Sequence, residues 1–487
     1  MSARVVDTSG DARALTDTAP APYKGAITTL AALMLLSATV AQAQDARITG
    51  HWQGALDVGA ARLRLAVHIT KDEQGKLAAT LDSLDQNARG IPVARTTLTG
   101  NQIRLEIPAI RAEFAGSLNA DGSELAGTFT QGVARPLRLK HVAQIAEPRR
   151  PQAPLPPFPY ELIEVGSSGL AGTFTIPKNG GPFPAVLLIS GSGPQDRDEG
   201  IAGHKPFWVI ADFLSRRGFA VLRVDDRGTG RSQGNSAQQT LDDKTEDVLA
   251  GLRFLRSRPE IDTRHMGVIG HSEGGVIGPV AALRSTDIAF IVMLAGVGTS
   301  MDETLALQAD NVLRSSGAPE EVVRLNHEIQ SVIFRTLRAE PNLEVARDKL
   351  RTEWAKRKAG FPERIQRSMG SAADASFEQQ LATVTSPAMR SLILHDPRSV
   401  LKQIRVPVLA LNGSKDLQVS AAQNLPAITA ALAEAGNTDF SIVNLPGLNH
   451  LFQKCDKCSI AEYGELEETF SLSALALVGE WLSAHVR

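Results

Sequence analysis

The sequence predicts an α/β protein in which a mostly parallel sheet is covered by helices, with an all-β domain before it and a helical insertion within it. Three observations support this fold class. Apolar strand-like runs alternate with helix-like stretches in residues 160–300 and again in residues 401–487. Short segments of period two fill residues 44–145, and charged, helix-prone sequence without buried strands fills residues 301–400. The 487 residues also exceed what one compact domain usually holds, so several domains are expected.

The all-β domain is expected over residues 44–145. Apolar and polar residues alternate in residues 62–69, 102–107 and 112–118, and turn-forming residues such as 119–122 separate these stretches. Several short strands at this spacing indicate a small antiparallel barrel or sandwich. No catalytic constellation occurs in this segment, so it serves either packing and oligomerisation or substrate binding.

A proline-rich linker, residues 146–159, leads from this domain to the α/β part of the chain. Apolar strands alternate there with amphipathic helices, which favours a parallel sheet covered on both faces. The insertion is expected to cap the carboxyl edge of the sheet, where α/β proteins bind ligands, and a peripheral decoration is the alternative. The expected strands are residues 184–190, 219–224, 266–269, 289–295, 406–411 and 440–443.

The N-terminus predicts export. The apolar run 26–40 follows Lys24 and precedes Ala41-Gln42-Ala43. This run is short for a membrane span but matches a secretory signal with a small-residue cleavage site. We expect residues 1–43 to be a signal peptide cleaved after Ala43, which leaves a periplasmic or secreted protein without a stable membrane span. An uncleaved anchor and a buried helix are the alternatives.

The composition is that of a globular protein without a charged partner. Apolar residues make up 43% and charged residues 21% of the chain, and the formal net charge is −2, so no nucleic-acid partner is expected. The two cysteines, Cys455 and Cys458, supply too few ligands for a structural zinc. A local disulfide and two plain thiols remain as interpretations.

A serine lies in the sequence pattern of a nucleophile on a sharp turn. Gly270-His271-Ser272-Glu273-Gly274 matches G-x-S-x-G, and a strand enters it while a helix-compatible run leaves it. Glycines are needed there because the turn brings neighbouring backbone close to the serine and imposes strained dihedral angles. This context favours Ser272 as a nucleophile over a residue of a plain connecting loop.

A serine nucleophile needs a base and an acid, which follow later in the chain. Asp416 comes directly after the strand at 406–411, and His450 follows the next strand, so both project from the edge that carries Ser272. His271 is a poor base because neighbouring side chains on a tight turn diverge, and His485 lies in the final helix. A turn-forming aspartate and a surface histidine are the structural alternatives.

The oxyanion of such a reaction needs two preorganised N–H donors. The backbone N–H of Glu273 is expected to be one of them. The second is expected from Ser192, in the glycine-containing loop after the strand at 184–190, with Gly193 as the competing donor. Farther along, Asp225-Asp226-Arg227 ends a strand at the same edge, and an Asp–Arg pair that anchors a loop is expected there.

The combined motifs resemble a known family. The stretches 190–199, 225–232, 270–275, 409–419 and 449–453 are similar to those of the α/β-hydrolase superfamily, and most of all to bacterial EstD-type carboxylesterases and serine aminopeptidase-like hydrolases. The resemblance covers the chain from about Tyr160 to its end. It implies an α/β-hydrolase fold, a triad of Ser272, Asp416 and His450, and an oxyanion loop at Gly191-Ser192. The paired cysteines after His450 depart from the family pattern.

The expected function is that of an exported serine hydrolase that needs no cofactor and no metal. An ester of a small acyl group is the first expectation, on the resemblance alone, with a small molecule as the only expected partner. A peptidase that recognises a substrate ammonium through Glu273 or a cap glutamate is the rival. A non-catalytic binding protein is a remote alternative. The oligomeric state stays open.

Overall fold

The computed structural model describes residues 47–486 apart from 59–61, 87, 147–148 and 371–372. The expected signal peptide, residues 1–43, lies outside the described residues. Among the helices that are described, none combines the length and apolar character that a membrane crossing requires.

The N-terminal part forms one antiparallel sheet that curls into a barrel-like shape, in the order β4-β3-β2-β1-β9-β8-β7-β6-β5. Strands that follow one another in the chain are neighbours in this sheet, apart from β4 and β5 at its two edges, and β1 pairs with β9. Its interior is filled by large apolar side chains such as Trp52, Leu105 and Phe114, each at most 1% exposed. The interior is therefore a packed core. The strands are β1 (Gly50–Asp57), β2 (Arg62–Lys71), β3 (Leu77–Ser83), β4 (Ala88–Val93), β5 (Arg95–Thr99), β6 (Gln102–Ile107), β7 (Ala112–Leu118), β8 (Glu124–Gln131) and β9 (Val133–Val142).

The second sheet has eight strands in the order β10-β11-β13-β12-β14-β15-β16-β17. The strands from β12 onward run parallel, and β10 and β11 form an antiparallel hairpin at one edge. The mostly parallel sheet predicted from sequence is thus confirmed. Its strands are β10 (Tyr160–Ser167), β11 (Leu170–Pro177), β12 (Phe183–Ile189), β13 (Ala220–Val224), β14 (Ile261–His271), β15 (Phe290–Leu294), β16 (Val408–Gly413) and β17 (Phe440–Leu445).

Helices cover both faces of this sheet and form the insertion. They are α1 (Pro206–Ser215), α2 (Leu241–Arg256), α3 (Gly274–Arg284), α4 (Met301–Ser315), α5 (Glu320–Ala339), α6 (Leu343–Ala359), α7 (Glu363–Met369), α8 (Ala373–Val384), α9 (Pro387–Ile393), α10 (Pro397–Leu401), α11 (Ala421–Glu434) and α12 (Leu472–His485). Helices α2, α3 and α11 share a core on one face of the sheet, and α1 and α12 pack on the other. The sheet is therefore buried on both faces, as its apolar strands require.

The helical insertion has its own small core. Phe334, Leu350, Phe377 and Leu381 are all at most 5% exposed and come from helices α5, α6 and α8. Within the helix-prone sequence predicted for this insertion, the structure has a break between α4 and α5. The break lies at Gly317, whose positive φ of 80° glycine tolerates without strain.

Candidate active site

Ser272 lies on a strained turn between β14 and α3. Its φ of 53° is a left-handed value that costs a serine about 1–3 kcal/mol. Its N–H donates to the carbonyl of Leu294 at 2.8 Å. A Cβ built on Gly270 would lie 2.1 Å from the carbonyl oxygen of Gly274, and one built on Gly274 would lie 2.1 Å from that of Ile189. Only glycines fit these two places, which explains the pattern found in the sequence. The serine itself stays partly exposed.

The structure brings Asp416 and His450 together at the carboxyl ends of β16 and β17. His450 Nδ1 lies 2.8 Å from Asp416 Oδ2, and both residues are at most 6% exposed. The other carboxylate oxygen of Asp416 accepts the backbone N–H groups of Gln418 and Val419 at 2.8 and 2.9 Å. The acid is therefore held by the backbone, and a proton on Nδ1 leaves Nε2 of His450 as the free acceptor.

Ser272 and His450 meet at the same sheet edge without a direct hydrogen bond between Ser272 Oγ and His450 Nε2 in the described part of the chain. The ring of His271, the residue before Ser272, lies beside that of His450, with 4.8 Å between the ring centroids. Catalytic hydrogen bonds are often long in ligand-free structures and tighten once substrate is bound.

The expected oxyanion donors lie next to the serine. A Cβ built on Gly191 would stand 3.3 Å from Ser272 Cβ, so the loop after β12 touches the nucleophile. The Gly191 N–H is already used, since it donates to Glu199 Oε1 at 2.7 Å. Within the described residues the N–H groups of Glu273, Ser192 and Gly193 donate to no protein acceptor. The assignment of Glu273 and Ser192 stays a prediction, with Gly193 as the competing donor.

Two aspartates at the end of β13 hold the oxyanion loop. Asp226 accepts a hydrogen bond from Ser190 Oγ and another from the Gln195 N–H, each at 2.9 Å. Burial raises the pKa of Asp226 to about 6. The expected Asp–Arg anchor exists with a different arginine, because Asp225 pairs with Arg197 at 2.7 Å.

The Arg227 that was expected to form this anchor pairs elsewhere. Its guanidinium lies 2.5 Å from Asp247 of α2. Asp225 and Arg227 therefore serve separate contacts, because Asp225 pairs with Arg197 and Arg227 pairs with Asp247.

The side chain of Glu273 is poorly suited to bind a substrate ammonium, the role that the peptidase hypothesis gave it. Its carboxylate lies 2.7 Å from Lys244 Nζ, and the side chain is 6% exposed. A buried carboxylate neutralised by a lysine is a weak anchor for a substrate ammonium. The Glu273 charge is therefore paired with Lys244, and the role of its backbone N–H stays a prediction.

Sequence reasoning missed the partners of His271. Its Nδ1 lies 2.8 Å from Glu199 Oε1, and its Nε2 lies 3.0 Å from the carbonyl oxygen of His450. Burial by itself lowers the pKa of His271, but the adjacent Glu199 carboxylate outweighs it, so the pKa lies above its usual value. Glu199 lies 72 positions from His271 in the sequence. Its place at the end of the motif 190–199 was the one sequence signal that could have pointed to it.

The segment after His450 carries a disulfide between Cys455 and Cys458. Among the described residues these sulfurs and the Glu462 carboxylate form the one group of metal-ligand type. Both sulfurs are consumed by the disulfide, and Glu462 accepts the backbone N–H groups of residues 456, 457 and 458. The group is therefore a loop cap and not a metal site, which decides between the two interpretations of the cysteines.

The same segment is tied to the β-domain and the linker. Arg150 of the linker donates to the carbonyl oxygens of Gly464 and Leu466 at 3.0 and 2.9 Å, and Arg64 of β2 reaches Gly464 O at 3.2 Å. Next to these carbonyls, the Tyr463 hydroxyl accepts from Gln418 Nε2 at 3.1 Å. A continuous set of contacts thus joins the β-domain to the loop that holds Asp416.

A cavity of about 650 Å³ lies within the cap, a size typical of ligand pockets. One wall contacts the acid loop, since Gln308 Nε2 lies 3.4 Å from Gln418 Oε1. No residue that lines this cavity is charged. The lining residues are Leu305, Gln308, Ala309, Val312, Leu313, Asn326, Gln330, Phe334, Ser376, Gln379, Gln380, Thr383, Val384, Met389, Ile393 and Ile460.

Comparison with known proteins identifies the family. The family model described as serine aminopeptidase, S33, matches residues 206–454, just over half of the chain. These residues include Ser272, Asp416 and His450. The esterase EstD of Thermotoga maritima is 30% identical over 264 residues, which cover 54% of this chain and 54% of that protein. An uncharacterized protein of Escherichia coli, YfhR, is 28% identical over 106 residues, which cover 20% of this chain and 36% of YfhR.

This chain spans about half the length of EstD and less of YfhR. Two proteins of known structure are also similar. An esterase of Pyrococcus furiosus aligns with a TM-score of 0.41 at 16% identity, covering 71% of this chain and 100% of that one. Est1E of Butyrivibrio proteoclasticus, with ferulic acid bound, gives a TM-score of 0.38 at 15% identity, covering 66% of this chain and 96% of Est1E. On the family match, the chain belongs to the serine aminopeptidase S33 family of α/β-hydrolases.

Proposed function

We propose that this protein is a serine hydrolase that cleaves uncharged carboxylic esters. Ser272 is the nucleophile, His450 the general base and acid, and Asp416 the group that orients His450. The observation that carries the proposal is the 2.8 Å contact between Asp416 and His450, both buried, at the sheet edge that holds the strained Ser272. The family membership and the similarity to EstD support an ester hydrolase.

The proposed reaction has two halves. Ser272 Oγ bonds to the ester carbonyl carbon while its proton passes to His450 Nε2, and the carbonyl oxygen becomes an oxyanion held by the N–H groups of Glu273 and Ser192. The bond to the alcohol then breaks, and the alcohol leaves with the proton from His450. Water attacks the acyl-enzyme with the same base, which releases the carboxylic acid and restores Ser272.

An ester is favoured over a peptide with a free amino terminus. The acid next to the nucleophile, Glu273, is neutralised by Lys244 at 2.7 Å. The cap cavity has no charged residue in its lining. A substrate ammonium buried beside Glu273 or in this cavity would lose its hydration without gaining an unpaired carboxylate, which is costly. Uncharged esters avoid this cost.

We also propose that the protein acts outside the cytoplasm on a small molecule. The signal-like residues 1–43 support export, and mass determination of the N-terminus of protein recovered from the periplasm tests it. A first residue of Gln44 is expected. A mature chain that retains residues 26–40 would contradict cleavage after Ala43.

Labelling with a fluorophosphonate tests the proposed nucleophile. We expect the wild-type protein to be labelled and to hydrolyse p-nitrophenyl acetate, and Ser272→Ala to lose both properties. Ser315→Ala, a change at an exposed serine of the cap, is the matched control and should leave both unchanged. Absence of labelling in folded wild-type protein would refute the proposal, and faster cleavage of an aminoacyl anilide than of the ester would favour the peptidase.

A further inference from the structure

A buried pair of side chains behind the nucleophile holds two loops at once. Glu199 Oε1 accepts the Gly191 N–H at 2.7 Å and lies 2.8 Å from His271 Nδ1. On the other side of the ring, His271 Nε2 lies 3.0 Å from the carbonyl oxygen of His450. Glu199 is 1% and His271 is 4% exposed, so water does not compete for these contacts. The pair therefore joins the oxyanion loop to the loop of the base through the residue next to Ser272.

The two contacts of His271 define its protonation. A carbonyl oxygen only accepts hydrogen bonds, so the Nε2 atom that faces His450 O carries a proton. The Glu199 oxygen that faces Nδ1 already accepts the Gly191 N–H, so it acts as an acceptor there and Nδ1 carries a second proton. His271 is then an imidazolium, and its buried charge is compensated by Glu199 alone in direct contact. The raised pKa of His271 agrees with this assignment.

The contacts of Glu199 and His271 fix two parts of the proposed active site, the oxyanion loop and the loop of His450. Gly191 precedes the oxyanion donor Ser192 and stands against the nucleophile, with 3.3 Å between Ser272 Cβ and a Cβ built on Gly191. The carbonyl bound by His271 belongs to His450 itself, whose ring must face Ser272. A shift of about 1 Å in a positioned catalytic group lowers the rate by about 100-fold. Neither loop has to be anchored this way for the fold, since both already end strands of the central sheet.

We propose that Glu199 and His271 are positioning residues that fix the oxyanion loop and the catalytic base relative to each other through one shared ion pair. This inference rests on the proposed function, because it assigns the pair to the same reaction. It explains why a histidine stands beside the nucleophile although it does not act as the base. It also explains why a carboxylate is buried at position 199, where φ is 50° and a non-glycine residue is strained.

Two substitutions of His271 separate its two contacts. In His271→Asn the side-chain amide takes the place of Nδ1 and keeps the Glu199 contact, while the His450 carbonyl loses its donor. In His271→Gln the amide reaches the place of Nε2 and keeps the carbonyl contact, while Glu199 loses its donor. Glu199→Gln keeps an acceptor for Gly191 and removes the charge. His265→Asn is the matched control, because His265 lies on the same strand and contacts Asp262 at 2.9 Å.

The measurement is kcat and KM for p-nitrophenyl acetate, expressed per serine titrated with a fluorophosphonate. We expect kcat to fall at least about tenfold in each of the three pair variants, KM to stay within about twofold, and His265→Asn to match wild type. A purely structural role would lower the number of titrated serines and leave kcat per titrated serine unchanged. That result, or folded pair variants with kcat within threefold of wild type, would overturn the inference. A wild-type protein without a titratable serine would overturn the proposed function and this inference with it.

Discussion

Arg150 links the proline-rich linker to the catalytic domain, and its removal gives the sharpest prediction about the N-terminal part of the chain. Its guanidinium donates to four carbonyl oxygens of two loops, those of Ala202, Gly203, Gly464 and Leu466, at 2.9–3.2 Å. Burial and the nearby Arg64 lower the pKa of Arg150 to about 10, which leaves it charged at neutral pH. The change we consider is Arg150→Met, which keeps the aliphatic part of the side chain and removes all four bonds.

The size of the effect follows from those bonds. A bond from a charged donor is worth about 1.5–3 kcal/mol, and about 1 kcal/mol is a suitable value for a partly exposed one. Only the two bonds to Gly464 and Leu466 hold the segment that opens, so they give about 2 kcal/mol, which corresponds to about 30-fold in a local opening equilibrium. The opening involves the segment around Gly464 and Leu466, because the sheet and its helices keep their own cores. We therefore expect backbone amides in residues 462–471 to exchange with solvent about 30-fold faster in Arg150→Met.

Native-state hydrogen exchange with mass spectrometry measures this directly, together with kcat for p-nitrophenyl acetate. Arg149→Met is the control, since Arg149 is 78% exposed and meets Glu467 only at 3.7 Å. We expect that change to alter local exchange by less than about threefold, as surface substitutions usually do. Equal exchange in Arg150→Met and Arg149→Met would refute the idea that the linker stabilises this segment.

Three further results are expected. Ala309→Trp fills part of the cap cavity, so kcat/KM for p-nitrophenyl decanoate should fall at least tenfold, at about 0.8 kcal/mol per displaced methylene. The same change should leave kcat/KM for the acetate ester unaltered, and the exposed control Ser315→Trp should alter neither. Equal losses on both esters would contradict the idea that the cavity binds the longer acyl chain. The double change of Cys455 and Cys458 to Ser should lower Tm by a few degrees in calorimetry and leave kcat for acetate within about threefold, because it opens only a short loop. Because the pKa of His271 is raised, its ion pair stabilises the fold fully below the usual histidine pKa and less as pH rises through the raised pKa. Tm should therefore fall more between pH 6 and 10 in wild type than in His271→Asn. Parallel plots of Tm against pH for the two proteins would contradict this.

The residues that the sequence identified share one property, which is that local rules place them. A strand followed by G-x-S-x-G and a helix predicts the turn at Ser272, and strand ends in a parallel sheet bring Asp416 and His450 to the same edge. The φ of 53° at Ser272 and the 2.8 Å contact between the other two agree with these predictions. The mostly parallel sheet and the antiparallel N-terminal domain follow from period and composition in the same way.

The residues that the sequence did not identify act through pairs that lie far apart in the chain. Glu199 meets His271 across 72 positions, and Arg150 meets Leu466 across 316. No periodicity or turn signal encodes such a pair, because its members belong to different elements whose packing is known only in the folded protein. The same reason explains Glu273, whose neutralisation by Lys244 required the relative placement of α2 and the turn at Ser272.

The segment that follows His450 is where the separate parts of the molecule meet. Ile460 lines the cap cavity, Tyr463 contacts the Gln418 side chain of the acid loop, and Gly464 is held by Arg64 and Arg150. Loosening this segment therefore moves one cavity wall as well as the neighbourhood of the acid. We propose that the acyl chain of a long ester extends into this cavity, and on that proposal Arg150→Met should lower kcat/KM for the decanoate ester more than for the acetate ester. An equal loss on the two esters, together with faster exchange in residues 462–471, would mean that the linker acts on the proposed triad alone and would contradict the shared-wall model.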